Sequence, residues 1–460
     1  MGNKKCRIYT ACDVSQTPNS ILKYEEKRDM NKLQFDVLRL ISEHESVDIA
    51  GIARELYKGA DEVSNAISSL QKNGMLKGYS LTKNGRDVLN AHRIKNAIIL
   101  AAGMSTRFIP LNFEKPKGLL VVKGETLIER QIRHLREKGI EEIIVVVGYM
   151  KECFEFLKEK YGVILVEAKD YAERNNHASV YAAKEYLKNT IITSSDLYFS
   201  ENIFQTYAYD SYYCTLFVPG KTAERGIETD SDDKIIDTFY GDKCYDTWIT
   251  LGYAFFSENF SKKMISFIEA EFDLPETANK FWADIQDEHL ADLYMYAKRC
   301  NDGIIHEFDS LEELRDFDEA YRNNSNSSIM KKLCYLLAVE ENNIVGLESL
   351  KKIKLSLFKF RCRGDVYICD VEPDDKDRIT YQGRVYYQCR DMSDVNLKLY
   401  KMDQNIKIDG GYDMDISGVL DHLYGYSSEF KKYHDEALPL CAAENVISPF
   451  ANLPLSFGFQ

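Results

Sequence analysis

The stretch Ile94-Lys-Asn-Ala-Ile-Ile-Leu-Ala-Ala-Gly-Met-Ser-Thr-Arg-Phe108 decides the fold of this chain. Ile94 to Ala102 is a nearly continuous apolar run, the pattern of a strand buried on both faces. The segment Leu100, Ala101, Ala102, Gly103, Met104, Ser105 and Thr106 then carries that strand into a loop of small residues. In an open parallel sheet, ligands bind beyond the carboxyl ends of the strands. Small residues there let the backbone approach a phosphate chain, and the exposed N–H groups can cradle it. Arg107 adds a guanidinium fork that matches phosphate oxygens. Ten residues on, Lys117 in Glu-Lys-Pro-Lys-Gly-Leu-Leu offers a second cation.

Apolar strands and amphipathic helices alternate outward from this stretch. Thr126 and Glu129 carry a capping-box signature, and the helix that they open ends at Gly139. Glu142 to Gly148 reads as a second strand, followed by a helix to about Tyr161. Val163 to Glu167, a helix over 176–188 and Thr190 to Ser195 continue the alternation. Repeated β-α-β units mean a mainly parallel sheet with right-handed crossovers. Strand patterns follow over 212–260, helices over 258–271 and 279–299, then a short strand entering an acidic helix in IIHEFDSLEELRDFDEAY.

Before this α/β region, residues 1–29 are polar and aperiodic and are expected to be a disordered lead-in. Residues 30–92 read as three helices and a β-wing with a turn at Lys83-Asn84-Gly85, a pattern that resembles a winged helix-turn-helix. Its would-be recognition helix carries Asp61 and Glu62 against one Lys72. That charge favours a packing or dimerisation module over a reader of DNA phosphates. The net charge of -14 over 460 residues also makes a nucleic-acid partner an unfavoured expectation. No apolar run reaches the ~18 residues of a membrane span and no apolar leader is evident, so a cytoplasmic protein with no membrane partner is expected. The 11 cysteines are scattered, as reduced thiols would be. Residues 321–460 show a helix and strands in KLCYLLAVE, RGDVYICDV and GRVYYQC but no clean architecture.

Two further constellations belong with the first loop. Ser194-Ser195-Asp196 ends the strand TIITSSD, again at a carboxyl end, and His306-Glu-Phe-Asp-Ser310 closes the α/β region. Read alone, each aspartate could cap a helix or turn. Together the segments resemble the nucleoside-triphosphate transferases, whose signature L-A-A-G-x-G-T-R-[FL] and following P-K-x-L-L are met here with Ser105 in place of the second glycine. Within them the resemblance is to the CTP:phosphocholine cytidylyltransferases. It rests on GYMKECFEFLKEKY (148–161), Asn175-Asn176 with Ser179, Phe281-Trp282-Ala-Asp284, and Glu307-Phe308-Asp309-Ser310, and it covers about half the chain.

The resemblance implies a Rossmann-like mixed, mainly parallel sheet over 93–320, between a small winged-helix domain and a C-terminal region of unassigned role. It implies CTP and a phosphorylated acceptor, phosphocholine by the nearest resemblance, as partners, and Mg²⁺ held by Asp196 and Asp309. Arg107 and Lys117 would offset phosphate charge, with Asn176 and Ser179 on the nucleotide. A quaternary ammonium makes no hydrogen bonds and needs aromatic faces and carboxylates. Trp248, Tyr253 and Trp282, with Asp284 and Glu307, are the expected acceptor wall, although core packing would also account for each aromatic. A sugar 1-phosphate or aminoalkylphosphonate acceptor, a ligand-sensing DNA regulator and a binding-only pseudoenzyme remain as alternatives. A homodimer is compatible with the sequence. In the last third, 338–352 faintly resemble the opening of a choline kinase-like domain without its catalytic loop. Residues 438–450 resemble the opening of a pyridoxal-phosphate enzyme without a Schiff-base lysine.

Overall fold

The computed structural model describes residues 30–44, 48–350, 356–372, 378–381, 384–387 and 396–402. The lead-in over 1–29 and the segment 438–450 lie outside the described residues. The chain divides into two compact units, residues 1–91 and 92–460.

The first unit holds α1 (Lys32–Glu43), α2 (Ile49–Glu55), α3 (Ala60–Lys72), the hairpin β1 (Leu76–Lys77) and β2 (Ser80–Leu81), and α4 (Lys83–Ala91). Asn31 and Gln34 close a reciprocal capping box on α1. The helices meet through Phe35, Leu38, Val63, Ile67 and Leu70, all buried. The turn expected at Lys83-Asn84-Gly85 is instead the first turn of α4. The chain reverses at Gly78, whose φ of +60° suits glycine. Gly85 serves close packing, since a Cβ there would lie 2.4 Å from the Met75 carbonyl oxygen.

The second unit opens with β3 (Asn96–Ala101), β4 (Val121–Val122), β5 (Glu125–Thr126), α5 (Leu127–Glu137), β6 (Glu142–Val147), α6 (Phe156–Tyr161), β7 (Ile164–Glu167), α7 (Asn176–Ala182), β8 (Thr190–Ser194) and β9 (Leu197–Phe199). It continues with β10 (Tyr212–Lys221), β11 (Gly226–Thr229), β12 (Ile235–Phe239), β13 (Tyr245–Phe256), α8 (Glu258–Glu271), α9 (Trp282–Glu288), β14 (Tyr296–Cys300), β15 (Ile305–Glu307) and α10 (Leu311–Phe317). Beyond these lie α11 (Ser328–Leu337), β16 (Ile344–Ser349), β17 (Leu357–Cys362), β18 (Asp365–Glu372), β19 (Arg378–Tyr381), β20 (Arg384–Tyr387) and β21 (Asn396–Lys401).

β7, β6, β3 and β8 run parallel side by side, in that order. β13 joins β8 antiparallel and carries β10 and β11, and β14 pairs parallel with β10. The fold is thus a mixed α/β sheet with a parallel centre. Alternation along β3 feeds two helical layers. Ala97, Ile99 and Ala101 share a core with Ile128, Ile132 and Leu135 of α5. Ile98 and Ala102 share another with Val180 of α7 and with Phe260, Met264 and Ile268 of α8. Two expectations fail at helix ends. The helix over 176–188 stops at Ala182 and gives way to a short 3₁₀ turn. The helix over 279–299 is only α9, because Tyr296–Cys300 pairs with β10.

The unit continues past residue 320. β16, β17, β18 and β21 form a four-stranded sheet in that order. Phe358, Phe360 and Val371 of this sheet share one core with Ile329 and Leu333 of α11 and with Phe108, Leu111 and Val122 beside β3 and β4.

Candidate active site at the sheet's switch point

The strand order β7-β6-β3-β8 reverses direction of winding between β3 and β8, so the crevice for a ligand lies beyond their carboxyl ends. A cleft of about 520 Å³ opens there, within the size range of small-molecule sites. Leu100, Ala101, Ala102, Gly103, Met104, Ser105 and Thr106 form one wall, and Asn176 and Ser179 line another. Arg107, Lys117, Asp196, Glu307 and Asp309 also line it. Ser105 has φ +50°. That left-handed backbone is the physical reason for a glycine in the signature at this position.

Asp196 and Asp309 meet although 113 positions separate them, because β9 pairs antiparallel with β15, with Leu197 opposite Glu307. Asp196 immediately precedes one strand and Asp309 closely follows the other, so pairing sets them side by side. Two clamps hold the turns. The buried Gln131 of α5 donates its amide to Ser194 O and Leu197 O, both at 2.9 Å, bracketing Asp196. Glu313 accepts from the Asp309 backbone N–H at 2.7 Å, and Ser310 caps α10.

Lys117 joins the pair. Its Nζ lies 2.9 Å from Asp196 Oδ2 and 3.4 Å from Asp309 Oδ1, and the side chain is only 8% exposed. Arg107, 75% exposed, pairs with Asp309 Oδ2 at 2.8 Å. Burial pulls the Lys117 ammonium pKa down, but the charges of Asp196, Asp309 and Glu307 outweigh it and hold the pKa above the usual lysine value. Lys117 is therefore a cation throughout the neutral range. Glu307 is pushed up to about 7, first by desolvation among the neighbouring protein atoms and then by the Asp196 charge. Its outer surface opens to water, which tempers the first cause. Asp196 Oδ1 is buried and has no hydrogen-bond partner among the described residues. Such an orphaned carboxylate oxygen beside a second carboxylate fits a hard divalent cation. No group of three or more His, Cys, Asp or Glu converges among the described residues, so remaining ligands would come from phosphates and water.

The expected acceptor wall is corrected. Tyr253 is fully buried, its hydroxyl 2.7 Å from that of Tyr212. Trp282 is 4% exposed and stacks on Tyr213 with centroids 4.9 Å apart. Trp248 packs on Phe217 and beneath Arg299, away from the cleft lining. Asp284 is spent on capping α9, accepting from the Phe281 N–H at 2.6 Å. Of that set only Glu307 lines the cleft. The aromatics that do line it are the buried Phe108, Tyr171 and Phe281, the last 48% exposed. Phe281 sits at the N-cap of α9, one position before Trp282, and one step along a helix turns a side chain by about 100°. Tyr171 lies against Gly148, where a Cβ would be 2.6 Å from the ring. The glycine in 148–161 was the one sequence signal for that ring. Asn175 and Asn176 tie α7 to α9, through Asn279 O at 3.1 Å and the Trp282 N–H at 2.9 Å.

A small-residue loop at a parallel sheet's switch point, two cations and a converging carboxylate pair together define a phosphate-handling crevice of the nucleotidyl-transfer class. Comparison with known proteins agrees. Residues 97–227 match the MobA-like NTP transferase domain. The chain is 35% identical over 229 residues to a choline-phosphate cytidylyltransferase of Streptococcus pneumoniae, spanning 50% of this chain and 99% of that protein. It is 37% identical over 230 residues to a 2-aminoethylphosphonate cytidylyltransferase of Lancefieldella rimae, spanning 49% of this chain and 93% of the other. A solved structure of the CTP:phosphocholine cytidylyltransferase from Streptococcus pneumoniae aligns with a TM-score of 0.47 at 36% identity, covering 49% of this chain and 98% of that one. The chain belongs to the family of MobA-like NTP transferases and is a nucleotidyltransferase.

Proposed function

We propose that the protein transfers CMP from CTP to a phosphorylated acceptor with a cationic head group, phosphocholine first among them. The observation that carries this reading is the single ammonium of Lys117 held between Asp196 and Asp309 at the end of the phosphate-binding loop. Cytidylyl transfer is supported by the two relatives, which differ in acceptor.

A phosphate or phosphonate oxygen of the acceptor attacks the α-phosphorus of CTP. The bond from that phosphorus to the bridging oxygen breaks in line, and pyrophosphate leaves with the electron pair. The acceptor oxygen is already anionic, so no general base is needed, and catalysis is positioning plus charge neutralisation. The loop from Gly103 to Thr106 presents backbone to the triphosphate. Lys117 and Arg107 offset the charge that develops toward the leaving group. Asp196 and Asp309 would hold a divalent cation, Mg²⁺ in this proposal, which supplies Lewis-acid polarisation of the phosphates. At the acceptor end, Tyr171 and Phe281 offer aromatic faces, and Glu173 and Glu307 offer carboxylates to a cation. Residues 30–92 are proposed to be a winged helix-turn-helix that serves packing, with residues after 320 as an appended region.

Pyrophosphate release from CTP is the test, measured with phosphocholine, 2-aminoethylphosphonate and a sugar 1-phosphate in turn. We expect release with a cationic acceptor and little with the sugar phosphate. Preference for the sugar phosphate would overturn the acceptor assignment and leave nucleotidyl transfer standing.

A further inference from the structure

Lys117 stands in a short 3₁₀ turn (Lys117–Leu119) that residues far along the chain hold in place. Glu114, three positions earlier, does not line the cleft. Its carboxylate accepts from the Ser327 hydroxyl, from the Ser328 N–H at 2.9 Å and from the Ile329 N–H at 3.2 Å, so it caps α11. The same loop is tied twice more. Asp318 accepts from the Lys123 N–H at 2.7 Å, and the Tyr321 hydroxyl donates to Val121 O at 2.9 Å. Ile329, Met330 and Leu333 of α11 pack in one core with Phe108, Leu111 and Leu120 on either side of Lys117. α11 lies beyond the residues matched by the family model, 97–227. The loop has little slack on its other side, since a Cβ on Gly118 would lie 2.9 Å from that of Ser195. A shift of this loop therefore moves Lys117 directly relative to Asp196.

We propose that Glu114 is a positioning residue for nucleotidyl transfer: by capping α11 it fixes the Lys117 loop against Asp196, so that a C-terminal helix outside the matched domain acts on catalysis without entering the cleft. The inference rests on the reading of Lys117 as the charge-offsetting cation. A carboxylate suits the task because it accepts from three donors and complements the positive end of a helix. Glutamine in its place would turn an NH₂ group toward N–H donors.

The test is a double-mutant cycle in the full chain, with Glu114→Gln, Lys117→Ala and both together. Pyrophosphate release from CTP gives kcat and both KM values, and thermal melting gives stability. With Lys117 present, Glu114→Gln is expected to lower kcat roughly 10-fold or more, with acceptor KM unchanged within ~2-fold. In the Lys117→Ala background the same change should alter kcat by less than ~2-fold, while melting temperature falls equally in both backgrounds. An equal proportional loss of kcat in the two backgrounds, or an unchanged kcat in Glu114→Gln, would overturn the proposal. Should Glu114→Gln fail to fold, Ser327→Ala removes one donor and keeps the carboxylate, and the same non-additivity is expected at roughly 3-fold. Wild-type protein that releases no pyrophosphate with any acceptor would instead refute nucleotidyl transfer itself, and this inference with it.

Discussion

Ser105 is the residue where sequence and structure inform each other most directly. The loop signature has glycine where this chain has serine, and the backbone there is left-handed at φ +50°. A side chain in that region costs about 1–2 kcal/mol. Glycine removes the strain but adds freedom to the unfolded chain, so Ser105→Gly should raise stability by about 0.5–1 kcal/mol. A lower denaturation midpoint in that variant would mean that the serine makes compensating contacts. His134 offers a second prediction. It is 3% exposed, and burial, reinforced by Arg133 and Arg130, pushes its pKa down to about 4. The unfolded chain, with an ordinary histidine pKa near ~6.5, takes up that proton first. Stability is therefore intact above about 6.5 and falls as pH drops toward 4, by at most ~3 kcal/mol. Urea unfolding at pH 7.5 and pH 5 should show a larger loss for wild type than for His134→Gln, and equal losses would contradict the assignment. Arg107, Lys117, Asp196 and Asp309 read from the sequence as charged groups near strand ends, and the structure brings them to one cleft. The places of Trp248, Tyr253 and Trp282 were not legible, because an aromatic side chain serves a core as readily as a ligand, and only packing decides.

Among the elements, the parallel strands were legible because burial on both faces leaves continuous apolar runs. Short elements were not. β9 and β15 have three residues each, too few for periodicity, yet their pairing is what brings the two aspartates together. The expected helix over 279–299 runs past α9 because MYAKRC carries both helical and strand features, and the pairing of β14 with β10 decides for a strand. The role of Gln131 is not legible in the sequence either, since a glutamine on an amphipathic helix reads as solvent-facing. Here it is buried and clamps the Asp196 turn through two carbonyls. Gln131→Leu leaves both acceptors without that donor and should destabilise the fold by about 2 kcal/mol. It should also lower turnover, because Asp196 loses its fixed turn. Denaturant unfolding measures the first effect. Unchanged stability would show that other donors satisfy Ser194 O and Leu197 O.

The whole molecule joins a nucleotidyltransferase sheet to a C-terminal layer through one apolar core. Sequence alone did not reveal that sharing, because α11 and β16 to β18 mix exposed and buried apolar positions and look like fragments. No helix among the described residues is long and apolar enough to cross a membrane. Charge across the molecule matters locally rather than globally. The net -14 disfavours polyanions in general, yet Arg107 and Lys117 set two cations on the lining of one cleft. The central claim is that Asp196 and Asp309 act as one unit in transferring a nucleotide. Its most direct test is CTP-dependent pyrophosphate release by Asp196→Asn, Asp309→Asn and the double variant, with Mg²⁺ and phosphocholine present. Groups that work as a unit are strongly non-additive. Each single variant should therefore lose at least ~10²-fold in kcat, and the double should be little worse than either. A single variant that keeps wild-type turnover, or losses that multiply in the double, would contradict a shared site.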